Sequence, residues 1–182
     1  MMVMGALALP LTGCMATVSS YASASERVAP VRTAGSGARV DARAGVHTAA
    51  RAAGDEARMT ALQAEVTRLV NADRARAGCA PLAWDGAAAE AAQAHSEDMA
   101  ARHYFDHTSP EGHTAVDRLR AGGGSYRALA ENIAMGQQSA QEVVRGWLES
   151  PGHRRNIENC RYTRTGVGYR DLRWTQVFYT PA

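Results

Sequence analysis

Three short segments carry the side chains best suited to chemistry. Residues 145–157 read RGWLESPGHRRNI and set His153 directly after a Ser-Pro-Gly break in an apolar helix pattern. YFDHTSPEG surrounds His107, and LAENIAMG surrounds Glu131. Each places one His or Glu beside Pro, Gly or small residues, the pattern of side chains gathered from separate loops into one pocket. Two neutral imidazoles and a carboxylate suit a borderline divalent ion such as Zn²⁺, with a position left for water. Each imidazole then needs an acceptor behind it to fix its tautomer. The same residues suit a structural polar network equally well, with His107 and His153 bonding loop backbone and Glu131. A buried Glu is costly unless paired, and an imidazolium or Arg173 can supply the partner.

Other chemistry has weaker support. Ser109 and Ser150 can be set beside the histidines on paper, but no nucleophile elbow or oxyanion motif accompanies them, and HEXXH is absent. Trp84, Trp147 and Trp174 read as core. Asn71 and Arg74 are assigned to the polar side of the first helix and, with Asn156, to the scaffold.

The elements that must position these groups follow from periodicity. Leu62, Val66, Leu69 and Val70 recur at helical spacing after a start near Arg58, and Gly78 stops the helix. Asp85 caps a second helix over 86–103, and 113–121 forms a third. Ser139-Ala-Gln-Glu142 is a capping box opening a helix over 139–150. Pro151-Gly152 breaks it, and one or two further turns follow over 153–158. Residues 165–170 and 173–179 favour strands joined tightly at Asp171-Leu172, an antiparallel hairpin, and 130–134 adds a third strand. Helices precede strands without a strand-helix-strand repeat, so the class is α+β.

Composition bounds the rest. The 182 residues fit one ordinary domain, and a formal net charge of +2 gives no case for nucleic-acid binding. All 20 basic residues are Arg. Residues 15–57 are rich in Ala, Ser, Gly and Arg without a periodic apolar face; they read as a disordered tether, with weak helix near 49–57. Val3–Leu11 is a short apolar run suited to a signal peptide, and the following Leu-Thr-Gly-Cys14 resembles a bacterial lipobox, with Cys14 the lipidated residue. The first basic residue is Arg27, so the basic start of such a signal is missing, as a start placed too late would explain. Cys79 and Cys160 can pair, leaving Cys14 alone, which fits an oxidising compartment. Closing a loop of ~80 residues contributes roughly 4–5 kcal/mol in the chain-entropy model.

Taken in order, VNADRARAGCAPLAWD, AHSEDMAARHYFDHTSPEG, AENIA, GWLESPGHRRNI with NCRYTRTGVGY, and WTQVF resemble the CAP superfamily: cysteine-rich secretory proteins, antigen 5 and pathogenesis-related 1, or SCP-like extracellular proteins. The bacterial YkwD-like branch is the nearest pattern, over residues 60–181. The resemblance implies a CAP-type α-β-α sandwich, a small antiparallel sheet between helical layers. It also implies a central cavity with two His and two acidic residues, which in some members holds a divalent cation. His107 matches the first histidine, and Glu131 matches the Glu of GEN[IL], with Ala130 in place of Gly. Ser150 stands where eukaryotic members carry a Glu, and Arg173 where they carry the second His. His153 is expected to reach the cavity from another direction.

The domain expected over 58–182 is thus an extracytoplasmic, monomeric binding module, held to the membrane through Cys14. Its cavity residues are His107, Glu131, His153 and Arg173. The ligand is a lipid, a small hydrophobic or other small molecule, or a divalent cation (Zn²⁺) on His107, Glu131 and His153. The alternatives are a metal-dependent hydrolase of envelope peptides or esters, with Glu131 as ligand or general base, and a structural or adhesion protein whose pocket is vestigial.

Overall fold

The computed structural model describes residues 42–182. The signal-like run, Cys14 and residues 15–41 of the expected tether lie outside the described residues.

Helix α1 runs Ala42–Arg76, so it begins well before Arg58 and takes in residues expected to be tether. Alanine and the straight-chain residues among them favour helix intrinsically. They carry no apolar stripe, and packing against the domain begins only near Leu62 and Val66. Helix α2, Gly86–Ala101, opens with the Asp85 carboxylate accepting from the Ala88 N–H. Helix α3 spans Ala115–Ala121 and opens on a box between Thr114 and Asp117. Helix α4, Ala140–Glu149, begins as the Ser139–Glu142 pattern predicts: Ser139 Oγ accepts the Glu142 N–H, while the Glu142 carboxylate reaches back to the Gln138 N–H. Helix α5, Pro151–Ile157, starts with Pro at its first position, where a missing N–H costs nothing.

The strands are β1 (Ala83–Trp84), β2 (Ala128–Met135), β3 (Arg164–Arg170) and β4 (Arg173–Thr180). They form one sheet in the order β1-β3-β4-β2. The β3–β4 hairpin and the β2–β4 pair are antiparallel, as expected. Strand β1 adds a parallel edge to β3; at two residues it is too short to leave a periodic signal. The hairpin turns through Asp171 and Leu172, both with positive φ (44° and 62°), the backbone form that two-residue hairpins require.

Helical layers cover both faces of the sheet. On one, α2 lies almost in backbone contact with β3. A Cβ built on Gly166 would sit 2.0 Å from Ala89 N, and one on Gly168 would sit 2.3 Å from the Ala92 backbone. Glycines on the strand and alanines on the helix are what allow this approach. On the other face, α1, α4 and α5 enclose the larger core of Val66, Val70, Val143, Trp147, Ile157, Trp174 and Phe178. Cys79 and Cys160 form a disulfide between the segments following α1 and α5.

Arg74 lies at the same junction, and it is fully buried rather than on a solvated side of α1. All five of its N–H donors are used. Nε and Nη2 reach Ala80 O, Nη1 reaches Ile157 O and Asn159 O, and Nη2 also reaches Tyr162 O. Asn71 ties the same loop through two bonds to the Leu82 backbone.

Candidate functional site

Glu131 is the centre of the arrangement. Strand alternation turns it toward the α2–α3 side of the sheet, where Val177, its partner on β4, packs with Leu119. Its carboxylate is buried. Oε1 lies 2.8 Å from His107 Nδ1, and Oε2 lies 2.8 Å from Arg118 Nη2 on α3. Arg118 also donates to the carbonyls of His107 and His113. One guanidinium therefore fixes both the carboxylate and the loop that carries His107.

A second histidine enters from α2. His95 is fully buried. Its Nε2 is 2.9 Å from the Asp106 carbonyl and 4.0 Å from Glu131 Oε1. A carbonyl oxygen only accepts, so Nε2 carries a proton and Nδ1 has the lone pair. Tyr104 OH donates to Asp98 Oδ2 at 2.5 Å and lies 3.4 Å from that Nδ1. Arg102 bridges Asp98 and Glu111, and Ser109 Oγ donates to Glu111 at 3.1 Å.

These contacts set the charges. The hydrogen bond that His107 donates to the Glu131 carboxylate holds the His107 pKa above the ordinary histidine value. Burial pulls His95 below it. His153 is also lowered, by burial first and by the proximity of His107 second. Arg102 draws the Glu111 carboxyl down to about 2, and burial pushes the Tyr104 hydroxyl up to about 12. Next to this network is an open cleft of about 510 Å³, lined by His95, Asp98, Arg102, Ser109, Glu111 and Arg118 among others.

The structure thus joins His107 to Glu131; it leaves His153 near enough to His107 to feel its charge but without a bond to Glu131, and it places Arg173 elsewhere. His153 lies on α5, whose Ile157 belongs to the core on the opposite face. Its carbonyl accepts from Asn132 Nδ2 at 3.2 Å. Its ring lines a separate groove of about 310 Å³ with Phe105, Ile133, Met135 and Trp147. Arg173 pairs with Met135 in the sheet and donates to the Asp171 carbonyl. Glu131 faces Val177, four positions further along β4, a rise of about 13 Å. The cation that meets Glu131 is Arg118 instead.

Sequence reasoning passed over both His95 and Arg118. His95 had a usable signal: it falls in register with Ala88, Ala91, Ala92 and Met99, all buried on α2. A lone imidazole on an otherwise apolar stripe points inward. Arg118, on a short helix with polar neighbours, had none.

Among the described residues, no three His, Cys, Asp or Glu side chains converge on a point where they could hold a metal ion. The reasons are local. Both Glu131 oxygens are engaged, the Arg118 cation touches one of them, and the His95 nitrogen nearest Glu131 carries a proton. These residues, arranged this way, do not fit a dication.

Comparison with known proteins agrees with the architecture. The model of the cysteine-rich secretory protein (CAP) family matches residues 67–179. The uncharacterized protein YkwD of Bacillus subtilis is 42% identical over 122 residues, covering 66% of this chain and 48% of that protein. The uncharacterized membrane protein YlbC of the same organism is 39% identical over 119 residues, 65% of this chain and 34% of that protein. The chain therefore spans about half, or less, of the length of these curated relatives. Among solved structures, an extracellular protein containing an SCP domain from Bacillus anthracis superposes with a TM-score of 0.65 at 37% identity, over 66% of this chain and 41% of that one. An outer surface protein of Borrelia burgdorferi shares the fold at 20% identity (TM-score 0.59, 64% of this chain and 90% of that one). With a mixed sheet between two helical layers and a family model matched over most of the folded residues, the chain belongs to the CAP superfamily, in its bacterial YkwD-like branch.

Proposed function

We propose that this CAP domain is an extracellular binding module for a small polar molecule, seated in the cleft beside Glu131. One observation carries the reading. A buried carboxylate, clamped by Arg118 and His107, stands next to an open cleft of about 510 Å³, within the ordinary size of small-molecule sites. The charged groups along the cleft are largely tied up with one another, Arg102 with Asp98 and Glu111 and Arg118 with Glu131, leaving one carboxylate charge in excess. Fixed donors and acceptors, rather than a net field, would select the ligand. The extracellular setting is supported by the B. anthracis relative, described as extracellular, and the B. burgdorferi neighbour, described as an outer surface protein. Attachment through a lipid on Cys14 would hold such a module at the envelope.

Metal-assisted hydrolysis is less well supported, because Glu131 has no free oxygen to act as ligand or base. The test is a thermal-shift and calorimetric screen of sugars, short peptides and amino acids, with Zn²⁺ as a separate arm. A ligand at 100 times its Kd stabilises the fold by about 2.7 kcal/mol. At least one polar class should do so, and the effect should vanish in Arg118→Met. No response across the screen would refute the binding reading, and stoichiometric Zn²⁺ retained after dialysis would reinstate the metal one.

A further inference from the structure

Of the three carboxylates in and beside the cleft, Glu111 is the one without a cation of its own. Arg118 takes Glu131, and Asp98 Oδ2 holds Arg102 Nη2 at 2.6 Å along α2. Glu111 occupies the other side of the same Arg102. Its Oε1 accepts from Nη1 and its Oε2 from Nη2, the latter at 2.8 Å, a parallel fork. The Ser109 hydroxyl donates a third bond to Oε2 at 3.1 Å. All of these groups line the cleft. The donors are held in place without Glu111. Asp98 ties Arg102 from behind, and the Tyr104 ring lies against the guanidinium with its centroid at 5.5 Å. Ser109 is buried, and its oxygen accepts the His113 N–H. Glu111 is held by little else. Its side chain is 54% exposed, and rotation about its own bonds carries the carboxylate into water. While it sits there, Arg102 above all draws its carboxyl down to about 2, so the position favours an ionised acid.

We propose that Arg102 and Ser109 form a receptor for the carboxylate of a small ligand, and that Glu111 is the chain's own stand-in for that group. The inference rests on the binding reading above and names the ligand class for the same cleft. The incoming carboxylate takes the Arg102 fork and the Ser109 hydroxyl, and Glu111 swings outward. With Glu111 out of the way the fixed charges balance, Asp98 against Arg102 and Glu131 against Arg118. One ligand carboxylate then restores the charge the cleft already carries. A neutral amide offers one oxygen to a fork shaped for two. The tethered Glu111 competes with every such ligand, so the cleft is partly self-occluded. An exposed ion pair is weak enough for a free acid to displace it.

The experiment is an NMR titration of the isotope-labelled full chain and of its Glu111→Ala variant with N-acetylglycine, following the Arg102 side-chain and Gly112 amide signals. N-acetylglycinamide, the neutral twin, is the control. Exposed ion pairs close with equilibrium constants on the order of 1–5, and a ligand that must open one first is weakened by one plus that constant. Glu111→Ala should therefore bind N-acetylglycine roughly two- to sixfold more tightly than the parent chain. Its Tm should change little, because the lost pair is exposed, and the amide should bind neither chain. Adding Arg102→Met to Glu111→Ala should abolish binding of the acid. Four results would overturn the proposal: no saturable binding of the acid by Glu111→Ala, equal affinity in the two chains, amide binding as tight as that of the acid, or binding that survives Arg102→Met. If a neutral sugar binds both chains alike and N-acetylglycine binds neither, this inference fails and the binding reading stands. If the acid shows the expected gain but Arg118→Met alters nothing, the carboxylate receptor stands and the role given to the Arg118–Glu131 clamp falls.

Discussion

Glu131→Gln removes one charge and almost no volume, so it isolates the electrostatics of the site. The Glu131 side chain is 4% exposed and that of Arg118 is 11% exposed, so the charge pair they form is nearly dry. Removing one member of a buried pair typically costs about 3–5 kcal/mol, because the other charge is left uncompensated. Two features reduce that here. Arg118 keeps its bonds to the His107 and His113 carbonyls, and the Gln Oε1 can still accept one N–H. An expected loss of about 2–3 kcal/mol remains, a fall in Tm of roughly 6–15 °C for a domain of this size. Guanidinium unfolding of Glu131→Gln, Arg118→Met and the double variant would measure it. The coupling between the two sites should exceed about 1 kcal/mol. The His107 imidazole, followed by NMR titration, should also fall back toward the ordinary histidine pKa, since the Glu131 hydrogen bond is the main cause of its elevation. A loss below about 1 kcal/mol with negligible coupling would show that Arg118 is adequately solvated by carbonyls alone, and that the carboxylate is not the organising charge.

Two further outcomes follow from the same geometry. Gly166→Ala should destabilise the fold by about 3 kcal/mol or more, at the top of the overpacking range, because the new methyl meets α2 backbone at 2.0–2.4 Å. Denaturant midpoints check this, and an unaffected midpoint would mean that α2 can lift off β3 cheaply. Stability should also bend with pH in two opposite senses. His107, raised in the fold, contributes fully below about pH 6.5, and the contribution is lost as pH rises through its folded value. His95, lowered by burial, favours the fold above about 6.5, and that advantage is lost as pH falls through its folded value. His107→Gln should therefore flatten the alkaline side of the stability profile and leave the acid side intact.

Much of the fold was legible in the chain because local chemistry agreed with the global structure. Asp85 and Ser139 are strong caps, Gly78 and Pro151 are strong breaks, and runs of β-favouring residues mark β3 and β4. Short or uncompensated features were not. Strand β1 exists only because residues 83–84 meet β3, a long-range fact with no local trace. Arg74 follows helical periodicity onto a face that happens to be enclosed, and side-chain type alone suggests solvent for it. At the site, His107 and Glu131 were legible as candidates, and the structure joins them. Choosing Arg118 over Arg173 as the cation on Glu131 needs the strand register and the position of α3, which no spacing in the sequence encodes.

Arg74 has a consequence for how the molecule comes apart. Three of its five hydrogen bonds reach residues 83–88 positions away in sequence, and no carboxylate shares the load. Any partly open state that keeps α1 packed while residues 157–162 peel off would leave the buried cation with only its two bonds to the Ala80 carbonyl. That penalty selects against local fraying of the α5–β3 connection and binds the two ends of the domain into one cooperative unit. The disulfide between Cys79 and Cys160 spans the same junction covalently. Hydrogen exchange in this segment should then occur only with global unfolding, including in the reduced protein, where the Arg74 bonds and the packing of Ile157 and Tyr162 still hold the junction shut.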